Sequence, residues 1–231
     1  MEFGRGRMIA IIVAVTVLMI GVSAFLWVRQ SSAREPVDVA NPIVVLDESW
    51  PSNQAAQEVE FWKIIQATGL GDGGEEVQSN ELRSQLNELH PNDLAKFIGV
   101  LDRLMYKTYS WDLWGAAYTI RGGASDDSFE DFRKWLISNG SDFFNQAIDN
   151  PDKLAELIDS DYEGDATFEE FSYIPMEIWS EKTAKKSTDL PKDKAALYPS
   201  QPFGEPFEEN EGHLARRYPK LWERFGKHPL G

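Results

Sequence analysis

The sequence predicts an all-α fold, in which a compact multi-helix domain follows a single N-terminal transmembrane helix. Apolar residues recur at helical spacing along most of the chain, whereas the polar–apolar alternation typical of strands is rare. Capping residues and glycines separate these helical stretches. Residues 8–28 form an uncharged apolar run that is long enough to span a hydrocarbon core of roughly 30 Å.

The N-terminal region divides into a short tail over residues 1–7, the apolar run over 8–28 and a linker over 29–52. The run is interpreted as an uncleaved transmembrane helix or signal anchor. A cleaved signal peptide is the alternative, because Val22-Ser23-Ala24 resembles a cleavage site. The apolar run continues past this site, which favours the anchor. The flanking arginines are balanced, and the chain's amino group favours a domain outside the cytoplasm. Cleavage would instead give a secreted protein.

The globular domain is predicted over residues 53–186. Asn53, or the serine before it, caps a first helix that ends before Gly69. A second helix runs from about residue 75 to 89, where leucines recur on one face. Pro91 then starts a third helix, in the first-turn position that proline favours.

The next two helices are separated by a glycine pair. The third helix bends near residue 109 into a fourth over 111–120, which Gly122-Gly123 ends. Ser125 caps a fifth helix, whose first turn carries carboxylates where the helix dipole favours them. Asn139-Gly140 ends this fifth helix.

Two further helices and a C-terminal extension complete the chain. A short helix is expected over 150–158, and a long one over 167–185 is expected to be kinked by Pro175. Residues 187–231 form a Pro-rich extension. A terminal helix over 214–225 within it is predicted to pack its aromatic residues onto the domain.

Composition excludes several classes of protein. The 231-residue chain has a formal net charge of −15 and no basic cluster, so no nucleic-acid partner is expected. It contains no cysteine, which excludes disulfides, thiolate metal ligands and cysteine nucleophiles. The sequence also lacks a nucleophile elbow, a P-loop and a dinucleotide-binding glycine motif. The motifs therefore assign no catalytic residue and no cofactor-binding residue, and they favour a protein that is not an enzyme.

Several strings of residues resemble a known family. They are Phe61-Trp62, Trp111-Asp-Leu-Trp-Gly-Ala-Ala-Tyr118, Gly122-Gly-Ala-Ser-Asp-Asp127, Phe132-Arg-Lys-Trp-Leu-Ile137 and Phe168-Glu-Glu-Phe-Ser-Tyr173. Together they resemble the bacterial family catalogued as domain of unknown function 4240, over roughly residues 58–183. The resemblance implies an α-helical domain, usually without a membrane anchor. It implies no activity, because the family has no established chemistry, and the apolar leader departs from its usual architecture.

An acidic and aromatic group is the first candidate site. It comprises Trp111, Asp112, Trp114, Tyr118, Asp126 and Asp127. As a functional site, these residues would form a carboxylate-lined cleft that holds a cation or supports acid–base chemistry, as in a metal-assisted hydrolase. As structural residues, the carboxylates would cap helices and the aromatic rings would belong to the core. The local details favour the structural interpretation.

An acidic loop is the second candidate site, for a metal ion. Asp159, Asp161, Glu163, Asp165 and Glu170 occupy positions 1, 3, 5, 7 and 12 of an EF-hand-like loop, with glycine at position 6. These residues supply the hard oxygen ligands that Ca²⁺ prefers. However, the loop is alone, and a small alanine replaces the usual large aliphatic residue at position 8. A solvated acidic loop is therefore favoured, with calcium left as the one cofactor considered.

The function predicted from the sequence is that of a membrane-anchored, non-catalytic module that binds or regulates a partner. The partner is an unidentified protein or small molecule, and residues 8–28 contact the membrane. Two alternatives stay open. One is a metal-assisted hydrolase that uses Asp112, Asp126 and Asp127. The other is calcium-dependent binding through the loop over residues 159–170.

Overall fold

The computed structural model of the chain describes residues 50–69, 74–190 and 199–231. The apolar run at 8–28, the tail before it and most of the linker lie outside these residues. Among the helices that are described, none is long and apolar enough to cross a membrane.

Over its described residues the chain forms ten α-helices and no strand, which confirms the predicted all-α class. The helices are α1 (Gln54–Ala67), α2 (Gly74–Asn87), α3 (Pro91–Lys107), α4 (Trp111–Arg121), α5 (Asp126–Ser138), α6 (Gly140–Asp149), α7 (Leu154–Leu157), α8 (Tyr173–Thr183), α9 (Glu211–Arg217) and α10 (Pro219–Phe225). Short 3₁₀ segments lie at Pro151–Lys153, Glu169–Ser172 and Ser187–Asp189.

Local sequence signals explain where several helices begin and end. The side-chain oxygens of Asn53, Ser110 and Ser125 accept hydrogen bonds from backbone amides in the first turns of α1, α4 and α5. Each bond satisfies an amide that has no carbonyl partner within its helix. Gly122 ends α4 with a φ of 72°, a left-handed conformation that glycine adopts without steric cost.

Helix α6 was not predicted from the sequence. The chain turns at Gly140, which has a φ of 87°, and continues directly into a new helix. Asn139 donates its side-chain amide to the Trp135 carbonyl at 2.7 Å and so fixes the end of α5 at this corner. Phe144 and Ala147 of α6 are fully buried. The Asn-Gly pair therefore marks a sharp corner between two packed helices.

The long helix predicted over 167–185 is wrong in its first part. A 3₁₀ segment occupies Glu169–Ser172, and α8 begins only at Tyr173. Pro175 consequently lies in the first turn of α8, where the missing proline amide costs no helical hydrogen bond. Pro175 therefore helps to start this helix instead of kinking it.

The terminal helix predicted over 214–225 is in fact two helices. Pro219 begins α10, and Tyr218 before it has a φ of −130° and a ψ of 67°, outside the helical region. A residue that precedes proline is displaced from this region by the proline ring. Tyr218, Leu221 and Phe225 are all buried, so the C-terminal helices contribute directly to the core.

One continuous core joins the helices. Helix α8 packs against both α2 and α3, while α4 packs against α10 and α5 against α6. Phe61 stacks on Phe97 with ring centroids 4.6 Å apart, and Trp114 stacks on Phe129 at 4.8 Å. Such rings bury large apolar areas and favour offset stacking, so the first pair joins α1 to α3 and the second joins α4 to α5.

A glycine allows α10 to approach α4. The Tyr218 ring is buried and lies directly against Gly115 of α4. A Cβ at position 115 would lie only 2.9 Å from Tyr218 Cζ, which is closer than two carbon atoms tolerate. Ala116 and Ala117 are also fully buried. Gly115 therefore sets the spacing at this helix contact.

Gly115→Ala is expected to lower the free energy of unfolding by about 1–3 kcal/mol, because the new methyl group must displace the buried Tyr218 ring. Gly99→Ala is the matched control, since a Cβ there would meet Arg103 Nη1 at an ordinary 3.7 Å. This control is expected to gain about 0.5–1 kcal/mol from higher helix propensity. Urea unfolding, monitored by tryptophan fluorescence, measures the free energy of unfolding of both variants. Equal changes in the two variants would contradict the steric explanation.

Candidate functional site

The structure divides the first candidate site between two places. Trp111, Asp112 and Tyr118 lie on α4, in contact with residues near the C-terminus. Asp126 and Asp127 instead line a cavity between α3, α5 and α8, and Asp112 is not part of its wall. The carboxylates of the predicted cleft therefore do not converge on a single pocket.

Trp114 is a packing residue at the edge of the core. Its ring stacks on Phe129 at 4.8 Å and on Trp111 at 5.2 Å, with interplanar angles of 13° and 12°. Its indole nitrogen donates a hydrogen bond to the Ala124 carbonyl at 2.9 Å. This bond holds the glycine-containing turn between α4 and α5 against the ring.

Asp112 joins α4 to the C-terminal helices. Its Oδ1 accepts hydrogen bonds from Arg217 Nη2 at 2.6 Å and Arg217 Nε at 2.8 Å. The Tyr218 hydroxyl donates to the Asp112 carbonyl oxygen at 3.0 Å. Burial raises the pKa of Tyr218 and outweighs the opposing effect of Arg217, while the charge of Asp112 raises it further. The phenol therefore stays protonated and available as a donor.

Tyr118 contacts the segment that precedes α9. Its ring lies 5.4 Å from that of Phe207, and its hydroxyl lies 3.4 Å from Glu209 Oε2. Partial desolvation raises the pKa of Tyr118, and the charge and hydrogen bond of Glu209 raise it further. Neither Phe207 nor Arg217 was identified from the sequence, because each lies about ninety or more positions from its partner on α4 and no local pattern links them.

The cavity that Asp126 and Asp127 line has a volume of about 660 Å³, and we call it the acidic cavity. Its charged wall consists of four carboxylates and two cations: Asp102, Asp126, Asp127, Glu130, Arg133 and Lys134. Apolar side chains of α3 and α8 form another part of the wall, and Ser172, Pro199 and Ser200 complete it.

Arg133 is enclosed within this wall and is only 4% exposed. Its guanidinium carbon lies 5.0 Å from the ring centroids of both Tyr109 and Phe129, so two aromatic faces contact the cation. Its Nη1 donates a hydrogen bond to the Met105 carbonyl at 2.8 Å. Arg133 therefore ties α5 to the end of α3 from inside the protein.

Lys134 is buried and charged. Its Nζ lies 2.9 Å from Asp131 Oδ1 and 3.1 Å from Glu130 Oε1, and it donates to the Glu169 carbonyl at 3.4 Å. Desolvation lowers the pKa of Lys134, but the hydrogen bonds and the charges of Asp131 and Glu130 outweigh it, so the pKa is raised overall. The ammonium group is thus neutralised by the protein's own carboxylates.

The five carboxylates of the acidic loop have different surroundings. Asp165 accepts a hydrogen bond from Thr167 Oγ1 at 2.5 Å and lies 3.8 Å from Arg121 Nη2. A second cavity, of about 570 Å³, is lined by Asp159, Asp161 and Glu163 and by residues of α2. Glu170 lies in a 3₁₀ segment. In the described part of the chain, no three His, Cys, Asp or Glu side chains are placed to hold a metal ion.

Glu75 of α2 lines the second cavity beside the acidic loop. Partial desolvation at the cavity wall raises the pKa of Glu75, and repulsion from Asp165, Glu170 and Asp131 raises it further, although the side chain remains exposed. The sequence did not identify Glu75, because the loop that surrounds it comes from a distant part of the chain. Helix α2 therefore adds to the local accumulation of negative charge.

Comparison with known proteins identifies one family. The model of a family described as a protein of unknown function, DUF4240, matches residues 57–181, which is more than half of the chain. The matched region includes α3, α4 and α5, but it ends before the C-terminal segment that contacts α4. No curated protein and no solved structure matches the chain.

Glu75→Gln is expected to raise the melting temperature by ~1 °C at pH 7, and this gain should disappear below about pH 4.5. A raised pKa means that the folded state binds the proton more tightly than the unfolded state, so the contribution of Glu75 to wild-type stability falls as the pH rises above its usual pKa. Glutamine has no ionisable group, so this loss of stability does not occur in the variant. Thermal unfolding at pH 4 and pH 7 measures the effect, with Glu76→Gln as the control. A gain that is the same at both pH values would rule out this cause.

Proposed function

The chain belongs to the DUF4240 family, and we propose that it is a membrane-anchored, non-catalytic module that binds a basic segment of a partner protein. Residues 8–28 are the proposed anchor, and the acidic cavity is the proposed binding site. The single observation that carries this proposal is the distribution of charge in the cavity wall, where three of the four carboxylates are exposed and both cations are buried.

The accessible groups of the acidic cavity are negative. Asp126, Asp127 and Glu130 are exposed, whereas the Arg133 and Lys134 side chains are buried. Both cations already have partners inside the protein, so an approaching ligand encounters mainly carboxylate oxygens. A concave surface lined by one sign of charge concentrates the field, and partly enclosed charges are screened less than those on an open surface. The cavity therefore favours a cationic ligand.

The apolar part of the wall suits lysine or arginine side chains. Ile98, Leu101, Met105 and Met176 line the cavity alongside the carboxylates. A lysine or arginine side chain packs its alkyl stem on an apolar surface while its charged head bonds to carboxylates. Methionine side chains adapt readily to a bound group. A volume of about 660 Å³ is within the range of ligand-binding cavities, which supports occupation by side chains of a basic segment.

The position of Asp112 supports binding over hydrolysis. A metal-assisted hydrolase that used Asp112, Asp126 and Asp127 would need these carboxylates to converge on one open pocket. Asp112 instead accepts two hydrogen bonds from Arg217 and lies outside the acidic cavity. For calcium-dependent binding, no feature of the described loop favours that function over a solvated loop.

A fluorescein-labelled hexalysine peptide is expected to bind the detergent-solubilised full chain, and Asp126→Asn/Asp127→Asn is expected to weaken the binding about tenfold. The physical reason is the loss of two accessible charges from the wall. Affinity should also fall as salt is raised, because ions screen the attraction. Fluorescence anisotropy at several salt concentrations measures both effects.

Asp142→Asn/Asp149→Asn is the matched control, because it removes the same charge from α6, away from the cavity wall. This double variant is expected to change the affinity less than twofold. Equal weakening by both double variants would mean that the peptide responds only to the net charge of −15, and the proposed site would be wrong.

The full chain is expected to remain in the membrane fraction after alkaline carbonate extraction. Ile12→Arg/Val17→Arg should release it, since each arginine at the centre of a span costs about 2.5–3.5 kcal/mol. Ile43→Arg/Val45→Arg, which adds the same charge in the linker, is the control and should stay with the membranes. Protease added outside the cytoplasmic membrane should digest the domain. A wild-type chain found in the soluble fraction with its leader intact would refute the anchor.

A further inference from the structure

Residues 199–210, which we call the strap, lie across the surface of α4 with little regular structure of their own. Most of the strap is exposed, yet its contacts with α4 and the end of α3 are specific. The helices that follow it are different, because Leu214, Tyr218 and Leu221 are core residues. The strap is therefore a surface segment held at its C-terminal end by the core.

Main-chain pairing fixes the strap at the junction between α3 and α4. The Phe203 amide donates to the Tyr109 carbonyl at 2.9 Å, and the Trp111 amide donates to the Phe203 carbonyl at 2.9 Å. Ser110 and Phe203 thus form an isolated parallel β-bridge. Recognition of an extended peptide commonly uses such main-chain bonds for affinity, and adjacent side-chain contacts give specificity.

Two aromatic residues, four positions apart, supply the side-chain contacts. The Phe203 ring lies edge-on to Tyr106 at 5.2 Å, although Phe203 itself is 42% exposed. The Phe207 ring lies 6.2 Å from that of Trp111 and 5.4 Å from that of Tyr118. The strap therefore packs on three half-buried aromatic rings, and a group of such rings is a frequent feature of peptide-binding surfaces.

Arg217 completes the attachment of the strap. While its guanidinium group binds Asp112, the same group donates hydrogen bonds to the carbonyls of Glu205 at 2.9 Å and Pro206 at 3.0 Å. These bonds involve main-chain oxygens, so they depend on the extended path of the strap and not on its side chains. One arginine thus connects the α4 carboxylate to the middle of the strap.

We propose that the surface formed by Tyr106 of α3 and by Trp111 and Tyr118 of α4 is a groove for an extended peptide with two aromatic residues four positions apart, and that the strap is its intramolecular occupant. The groove lies within the region that the family model matches, whereas the strap lies outside it. A partner segment of this chemistry competes with the strap for the groove. Occupation of the groove by the chain itself keeps weak partners from binding.

A labelled synthetic peptide with the sequence of residues 199–210 tests this proposal on the detergent-solubilised full chain. Phe203→Ala/Phe207→Ala loosens the strap and is expected to bind the peptide at least tenfold more tightly than wild type does. Gln201→Ala is the control variant, and a peptide in which both phenylalanines are alanine is the control ligand. Neither control should show the gain. Fluorescence anisotropy measures the affinities, and thermal unfolding establishes that each variant is folded.

Failure of the peptide to bind the loosened variant, when that variant is folded, would overturn the proposal. A wild-type dimer that the peptide dissociates would assign the groove to a second copy of the chain and would also overturn it. If the double variant does not fold, hydrogen exchange of the wild-type chain tests whether the strap is released from the groove. The Phe203 and Trp111 amides should then exchange at least about 100-fold faster than core amides, through local release of the strap. If these two amides exchange no faster than the core amides, the proposal is refuted.

Discussion

The close approach of Tyr218 to Gly115 is the contact on which the rest of the arrangement depends. Glycine at this position lets the phenol lie against the backbone of α4 and donate to the Asp112 carbonyl. The same contact places Arg217, the preceding residue, within reach of the Asp112 carboxylate. The ion pair in turn holds the carbonyls of the strap. A single steric requirement thus orients the C-terminal helices and commits Asp112 to a structural role.

Charge is distributed unevenly between the interior and the surface. The chain carries a net charge of −15, and two of its cations, Arg133 and Lys134, are buried beside the acidic cavity. Arg133 is held between aromatic rings, and Lys134 is surrounded by carboxylate and carbonyl oxygens. Their positive charge is therefore used to join α5 to its neighbours, and the exposed carboxylates at the cavity are left to interact with solvent or with a partner.

Local sequence signals predicted the helix boundaries best where one residue decided the outcome. Ser125 caps α5 as expected, and Gly122 takes the left-handed conformation that ends α4. Predictions failed where two helices meet at a corner. The chain continues into α6 after Gly140, and Phe144 of α6 is fully buried in the core. The terminal helix divides at Tyr218, whose backbone is displaced from the helical region by the following proline and whose ring lies against Gly115. Periodicity alone does not distinguish a corner between packed helices from the end of a helical region.

The sequence by itself determined the all-α class, the starts of helices α1 to α5 and the resemblance to the DUF4240 family, because these depend on neighbouring residues and on recognisable strings. Only the tertiary structure decided which carboxylates act together. Asp112 is paired with Arg217, 105 positions away, while Asp126 and Asp127 line a separate cavity. Glu75 joins the acidic loop from another helix. A charged side chain acquires its role from the groups that folding brings within a few ångströms, and no local pattern specifies those groups.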